Sequence, residues 1–144
     1  MTSAPQSTDS KARDRIRKGL LHPVIEKVAY SDYQSGRYED PLTHPYKEIE
    51  IRVRGLSLAP PSAIGVNLMN DSFGPTGKLT DSSLVSGEQK GLAYLFAGAF
   101  GWVRNPNAHR RVQIDPAEAA ELVFLASYLM RKLDEAEMRL NRAS

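Results

Sequence analysis

From Leu92 to Val103 the bulkier apolar side chains, Leu92, Leu95, Phe96, Ala99, Phe100 and Val103, return at steps of three and four. That is the period of one helix face, so the stretch reads as an α-helix buried along one side. A second stripe of the same period, Leu122, Ala126, Leu129, Leu133, Ala136 and Leu140, follows Asp115-Pro116-Ala117-Glu118. That tetrad is a helix start: a side-chain cap, a proline where its missing N–H has no partner to lose, and a carboxylate three residues on. Two long one-sided helices bury their stripes best against further helices, and the chain supplies candidates for them.

His22-Pro23 opens one, continued by Ile25, Val28, Ala29 and Tyr33 and stopped at Gly36. The segment from Tyr38 to Gly55 carries two patterns. KEIEIRVR alternates charge with Ile49, Ile51 and Val53, as a half-buried strand does. Leu42, Tyr46, Ile49, Val53 and Leu56 follow helical steps instead, with Asp40-Pro41 as a cap and Gly55 as a stop. The helix is preferred, although Pro45 interrupts its ladder unless the helix starts late, at Thr43-His44-Pro45. Residues 56–86 are rich in Gly, Pro, Ser and Asn, and VNLMNDSF reads as one short helical turn within a long connection. The expected fold is all-α: an up-and-down four-helix bundle with a long loop between its second and third helices.

At 144 residues, with 41% apolar and 25% charged residues, the chain has the size and composition of one globular domain. No run approaches the roughly 20 apolar residues a membrane span needs. MTSAPQSTDS has no apolar core of a secretory signal, so a cytoplasmic location without membrane association is expected. Cysteine is absent, which removes disulfides, thiolate metal sites and cysteine nucleophiles. His22, His44 and His109 stand far apart with no carboxylate at ligand spacing, so no metal site is expected. Gly98-Ala99-Phe100-Gly101 lacks the lysine and preceding strand of a phosphate loop, and no cofactor is expected.

The net charge of +2 hides an uneven distribution. Residues 1–18 hold Lys11, Arg13, Arg15, Arg17 and Lys18 against Asp9 and Asp14, and read as a disordered or basic N-terminal arm; residues 19–144 form the domain. From Gln89 to Ile114 there is no acid, only Lys90, Arg104, Arg110 and Arg111. A polyanion is drawn to such segments.

Within the second of them lies Trp102-Val103-Arg104-Asn105-Pro106-Asn107-Ala108-His109-Arg110-Arg111. Pro106 ends the helix near Arg104, which puts a guanidinium at a helix end and an imidazole on the turn that follows. Arginine holds two non-bridging phosphate oxygens, histidine moves a proton near neutrality, and Asn105 can orient either. The same residues have a purely structural reading, in which Arg104 complements the helix dipole and His109 is a turn residue.

The string GLAYLFAGAFGWVRNPNAH, Gly91 to His109, is similar to the most distinctive stretch of the prokaryotic Ymh-type family. Leu21-His22-Pro23-Val24-Ile25, Ser35-Gly36-Arg37-Tyr38 and the segment Leu125–Leu133 resemble it as well. One departure is EDPLTHPYKEIEI, whose two prolines stand where the family has an alanine-rich helix. The family in turn resembles the HEPN superfamily of four- or five-helix domains, many of them dimeric, metal-independent ribonucleases. Their arginine, then four to six residues, then histidine is matched by Arg104, Asn105 and His109.

The resemblance implies an endoribonuclease that leaves a 2′,3′-cyclic phosphate after 2′-hydroxyl attack. It further implies a toxin or effector of phage defence, with RNA as substrate, a homodimer, and an antitoxin or regulatory protein as a further partner. Arg104, His109 and Asn105 would be catalytic, with Lys90, Arg110 and Arg111 drawing the RNA backbone. The alternative is a non-catalytic HEPN-like module that binds nucleic acid, a nucleotide or a partner protein. A helical dimerisation domain without ligand is a third reading.

Overall fold

The computed structural model describes residues 20–34, 42–104 and 115–144. Five helices make up the described fold, and among the described residues there is no strand: α1 Pro23–Gln34, α2 Thr43–Ser57, α3 Gly65–Phe73, α4 Ser86–Val103 and α5 Pro116–Ala143. None of them is long and apolar enough to cross a membrane.

The two patterns in the second segment are resolved in favour of the helix. Tyr46, Ile49 and Val53 are buried to the last atom, whereas Ile51 is 47% exposed. Strand alternation would have put Ile49, Ile51 and Val53 on one face. The helix starts late, at Thr43, so Pro45 lies in its first turn, where it removes no intrahelical bond. Its end departs from expectation. Gly55 stays within the helix, and the chain turns out at Leu58, which takes the left-handed conformation with φ 54°. Ala59 N–H then bonds the Arg54 carbonyl at 3.0 Å and Leu58 N–H that of Gly55 at 3.2 Å. The proposed cap Asp40-Pro41 and the stop Gly36 lie outside the described residues.

The expected long loop between the second and third helices is corrected by α3. VNLMNDSF is not a single turn but most of a nine-residue helix. Its sequence looks weak because Asn67, Asn70, Asp71 and Ser72 are poor helix formers. Tertiary burial decides instead: Leu68, Met69 and Phe73 fill the core, and the Phe73 ring stacks on Phe96 of α4 at 4.1 Å between centroids. The Ser72 hydroxyl, buried, accepts from Ser57 at 2.8 Å and ties α3 to the end of α2. Helix α4 also begins five residues ahead of Gly91, at Ser86.

Helix α2 is the common element. It packs on α1, α3 and α5, while α1 packs on α5 and α3 on α4. Tyr46 meets Phe100 of α4 edge-on at 5.7 Å, and its hydroxyl donates to the Leu122 carbonyl of α5 at 2.9 Å. Burial pushes that phenol well above its ordinary pKa. The middle of each stripe read from the sequence forms the core: Phe96, Ala99 and Phe100 from α4, and Ala126, Leu129, Leu133 and Ala136 from α5. Val123, not Leu122, is the buried residue at the start of the α5 stripe, and Leu140 packs only at its edge. Each large side chain buried this way stabilises by roughly 1.5–3 kcal/mol. Asp115 caps α5 by accepting from Ala117 N–H, with Pro116 at the first helical position, as its sequence indicates.

Candidate functional site

Arg104 stands at the C-terminal end of α4, its own N–H bonded to the Phe100 carbonyl at 3.1 Å. The side chain is half-buried, and its Nε is sealed from solvent with no hydrogen-bond partner. Leaving such an atom unsatisfied in the interior costs on the order of 1–3 kcal/mol. Among the described residues no carboxylate forms an ion pair with this guanidinium. Asn105, His109, Arg110 and Arg111 lie outside the described residues, so the structure places Arg104 alone of the expected catalytic set.

Lys90 does not join it. It sits fourteen residues earlier on α4, about 21 Å along the helix axis at 1.5 Å per residue. It lines a separate hollow of about 430 Å³ between the end of α3, the following loop and the first turns of α4. Phe73 and Ala93 are apolar lining residues, Asn70, Thr80, Ser86 and Gln89 contribute polar groups, and Tyr94 lines it while remaining 71% exposed. Lys90 is the sole charged residue of this lining.

The hollow is built on a hydrogen-bonded loop. Leu79 N–H returns to the Ser72 carbonyl at 2.9 Å, and the Thr80 hydroxyl donates to the Gly74 carbonyl at 2.5 Å. The Gln89 amide nitrogen donates to the carbonyls of Asp81 and Leu84, each at 3.0 Å, which leaves its oxygen as a free acceptor. This hollow was not legible as a site, since Asn70 reads as loop. Its signals were Lys90, in the acid-free segment, and Tyr94, a large aromatic residue off the apolar stripe of α4.

On the opposite side of α4 lies a second hollow of about 500 Å³, reached by Leu92, Leu95, Tyr128, Asp81, Lys132 and Arg139 among others. Four of its five charged residues pair with one another. Arg139 pairs with Asp81 at 3.4 Å and donates to the Leu79 carbonyl at 3.0 Å, and Lys132 pairs with Glu135 at 3.1 Å. The Ser83 hydroxyl, donating at 2.6 Å, holds the Asp81 carboxyl below its ordinary range, with Ser83 N–H and Arg139 helping against the cost of burial.

His22 forms a further charged cluster among the described residues. It is 7% exposed, and its Nε2 lies 2.9 Å from Asp134, which holds Arg52 at 2.6 Å; Arg52 reaches Glu137 at 2.7 Å. Both ring nitrogens are occupied. Val24 N–H donates to Nδ1 at 3.2 Å, so the proton belongs on Nε2, which donates to Asp134. No nitrogen is left to face a substrate. The cluster caps α1 and ties it to α5, in keeping with the helix-entry role that Pro23 indicates. Burial works to raise the Asp134 carboxyl, but Arg52 and His22 outweigh it and hold the group below its ordinary range.

The glycines of α4 divide. A Cβ at Gly101 would meet Val66 Cγ2 of α3 at 3.5 Å, while at Gly87, Gly91 and Gly98 it would meet nothing within 4 Å. Of the four, only Gly101 therefore lies against another helix.

No curated protein and no solved structure matches the chain. One family model does, over residues 19–133, which takes in α1 to α4, most of α5 and the segment carrying Arg104, Asn105 and His109. A match over that much of 144 residues decides membership: the chain belongs to the family described as "Protein of unknown function (Hypoth_ymh)".

Proposed function

We propose that this protein is a metal-independent endoribonuclease of the HEPN type, working as a homodimer and serving as an effector of prokaryotic phage defence. The observation that carries the reading is Arg104: a half-buried guanidinium with a sealed, unpartnered Nε and no carboxylate paired to it among the described residues. An arginine without a counter-charge at the mouth of an acid-free segment is available to a phosphate.

In the reaction the RNA 2′-oxygen attacks its own adjacent phosphorus. The O2′–P bond forms, the P–O5′ bond breaks, and the products carry a 2′,3′-cyclic phosphate and a 5′-hydroxyl. The nucleophile is tethered to its target, which supplies proximity without a metal. Arg104 stabilises the charge growing on the non-bridging oxygens, and Asn105 orients the pair. His109 takes the 2′-hydroxyl proton or delivers one to O5′. One imidazole does not do both at once, and the second protomer of a two-fold dimer supplies the other. Arg110 and Arg111 attract the strand without reading its sequence. A partner protein that holds the dimer silent belongs to the same proposal.

The test is cleavage of labelled single-stranded RNA by the full chain in excess chelator. Arg104→Ala and His109→Ala are expected to lose roughly 10²–10³-fold in rate, with unchanged circular dichroism. Loss of cleavage on chelation, or wild-type rates in Arg104→Ala, would overturn the reading. Variants that bind RNA as wild type does, with no cleavage by any form, would leave the non-catalytic module.

A further inference from the structure

We infer that the hollow beside Lys90 and Tyr94 receives one nucleotide of the RNA strand whose scissile phosphate lies at Arg104, an inference that rests on the ribonuclease reading and adds a substrate-binding subsite to it. Its volume of about 430 Å³ falls within the range of small-ligand sites. Its chemistry fits a nucleoside phosphate part by part. Phe73, nearly buried and stacked on Phe96, and Ala93 give an apolar wall. Tyr94, on a well-packed helix, offers a ring for a base to stack on. Asn70 and the free amide oxygen of Gln89 supply hydrogen-bonding groups for a base edge. Lys90 supplies the cation for a phosphate and, among the described residues, has no acidic partner.

Charge favours an anion here over a protein surface of mixed sign. No aspartate or glutamate lines this hollow, whereas the hollow across α4 holds Asp81, Glu88 and Glu135. Between the hollow and Arg104, α4 itself gives a path. Tyr94 and Arg104 are ten residues apart on one helix, about 15 Å along its axis, a span of at most about four stacked nucleotides. One turn beyond Tyr94 the helix surface is the bare, exposed backbone of Gly98, where a Cβ would meet nothing within 4 Å, so a strand leaving the hollow can lie close to the helix there.

The experiment measures binding of a 2′-O-methylated, uncleavable single-stranded 12-mer and of the four nucleoside 5′-monophosphates to the full chain, beside cleavage of the unmodified 12-mer. The oligomer is expected to bind at least tenfold more tightly than any mononucleotide. Tyr94→Ala is expected to weaken it roughly five- to 100-fold, and Lys90→Ala to weaken it and flatten its salt dependence by about one ion. Asn70→Ala should change the preferred base near the cut. Lys132→Ala, across the helix, should bind as wild type does. Tyr94 and Lys90 are both exposed, so the fold survives their truncation and circular dichroism checks it.

Wild-type oligomer binding by both Tyr94→Ala and Lys90→Ala, with Arg104-dependent cleavage intact, would overturn the subsite and leave the ribonuclease standing. Mononucleotide binding as tight as the oligomer's, without cleavage, would overturn both and mark the hollow as a site for free nucleotides.

Discussion

The two hollows that flank α4 are close in size and opposite in electrical character. Across the helix from Tyr94, Arg139 holds Asp81 and Lys132 holds Glu135, so charge is spent on joining α5 to the loop before α4 and on bracing α5 itself. Beside Tyr94, Lys90 answers no acid among the described residues, and the neighbouring polar groups fix the loop but not the lysine. A paired cation contributes to the fold; an unpaired one adds little to it and is free for a ligand. The difference separates the wall that holds the molecule together from the wall that is open to chemistry.

The largest effect comes from the loop that both hollows share. A Cβ on Gly77 would stand 2.3 Å from the Ser72 carbonyl oxygen, a backbone atom fixed by Leu79 N–H. Gly77→Ala must therefore displace the chain that carries Thr80 into one hollow and Asp81 into the other. We expect a loss of about 2–4 kcal/mol in urea unfolding, with RNA binding reduced as well. A variant of wild-type stability would show the loop to be yielding, and with it the shape of both hollows.

Next comes the direct contrast. Arg139→Ala removes the cation from Asp81 and a donor from the Leu79 carbonyl, and is expected to cost about 1–2 kcal/mol with RNA binding unchanged. Lys90→Ala is expected to stay within about 0.5 kcal/mol of wild-type stability while weakening RNA binding. The reverse pattern would exchange the roles of the two hollows.

Smaller again is the acid limb of stability. Asp81 and Asp134 both titrate below their ordinary value of 3.8. A carboxyl depressed in the folded state stabilises fully above its unfolded pKa and loses that contribution as pH falls through the folded one. Stability should thus decline below about pH 4, and Asp81→Asn should make the decline shallower. An acid limb identical in that variant would mean that the pairing across α4 contributes nothing.

What the sequence disclosed followed the strength of local signals. Helix α5 was legible from Asp115 onward because cap, proline and stripe agree. The choice of helix for α2 was also legible, since the steps through Tyr46, Ile49 and Val53 outweigh the alternation of KEIEIRVR. Helix α3 was read as a single helical turn, too short, because its Asn, Asp and Ser residues have weak propensity and its stability comes from burial of Leu68, Met69 and Phe73. The end of α2 was misplaced because a leucine, Leu58, takes the left-handed position that a glycine signals elsewhere. Of the candidate site, the position of Arg104 at the end of α4 was legible, because a proline two residues on disfavours helix at the residue before it. The hollow at Lys90 was not, because α3 and α4 assemble it from residues twenty apart.

The finest test uses the glycine that lines only the paired hollow. Gly91 lies within α4, and a Cβ there would meet nothing within 4 Å. Alanine holds a helix better than glycine by up to about 1 kcal/mol, because it loses less backbone freedom on folding. Gly91→Ala is therefore expected to raise thermal stability by about 0.5–1 kcal/mol. Its methyl group narrows the hollow between α4 and α5 and leaves the one beside Tyr94 untouched, so RNA binding and cleavage should match wild type. If stability rises as expected but cleavage falls, the bare backbone at Gly91 serves a ligand or a second protomer, and the paired hollow is a working surface.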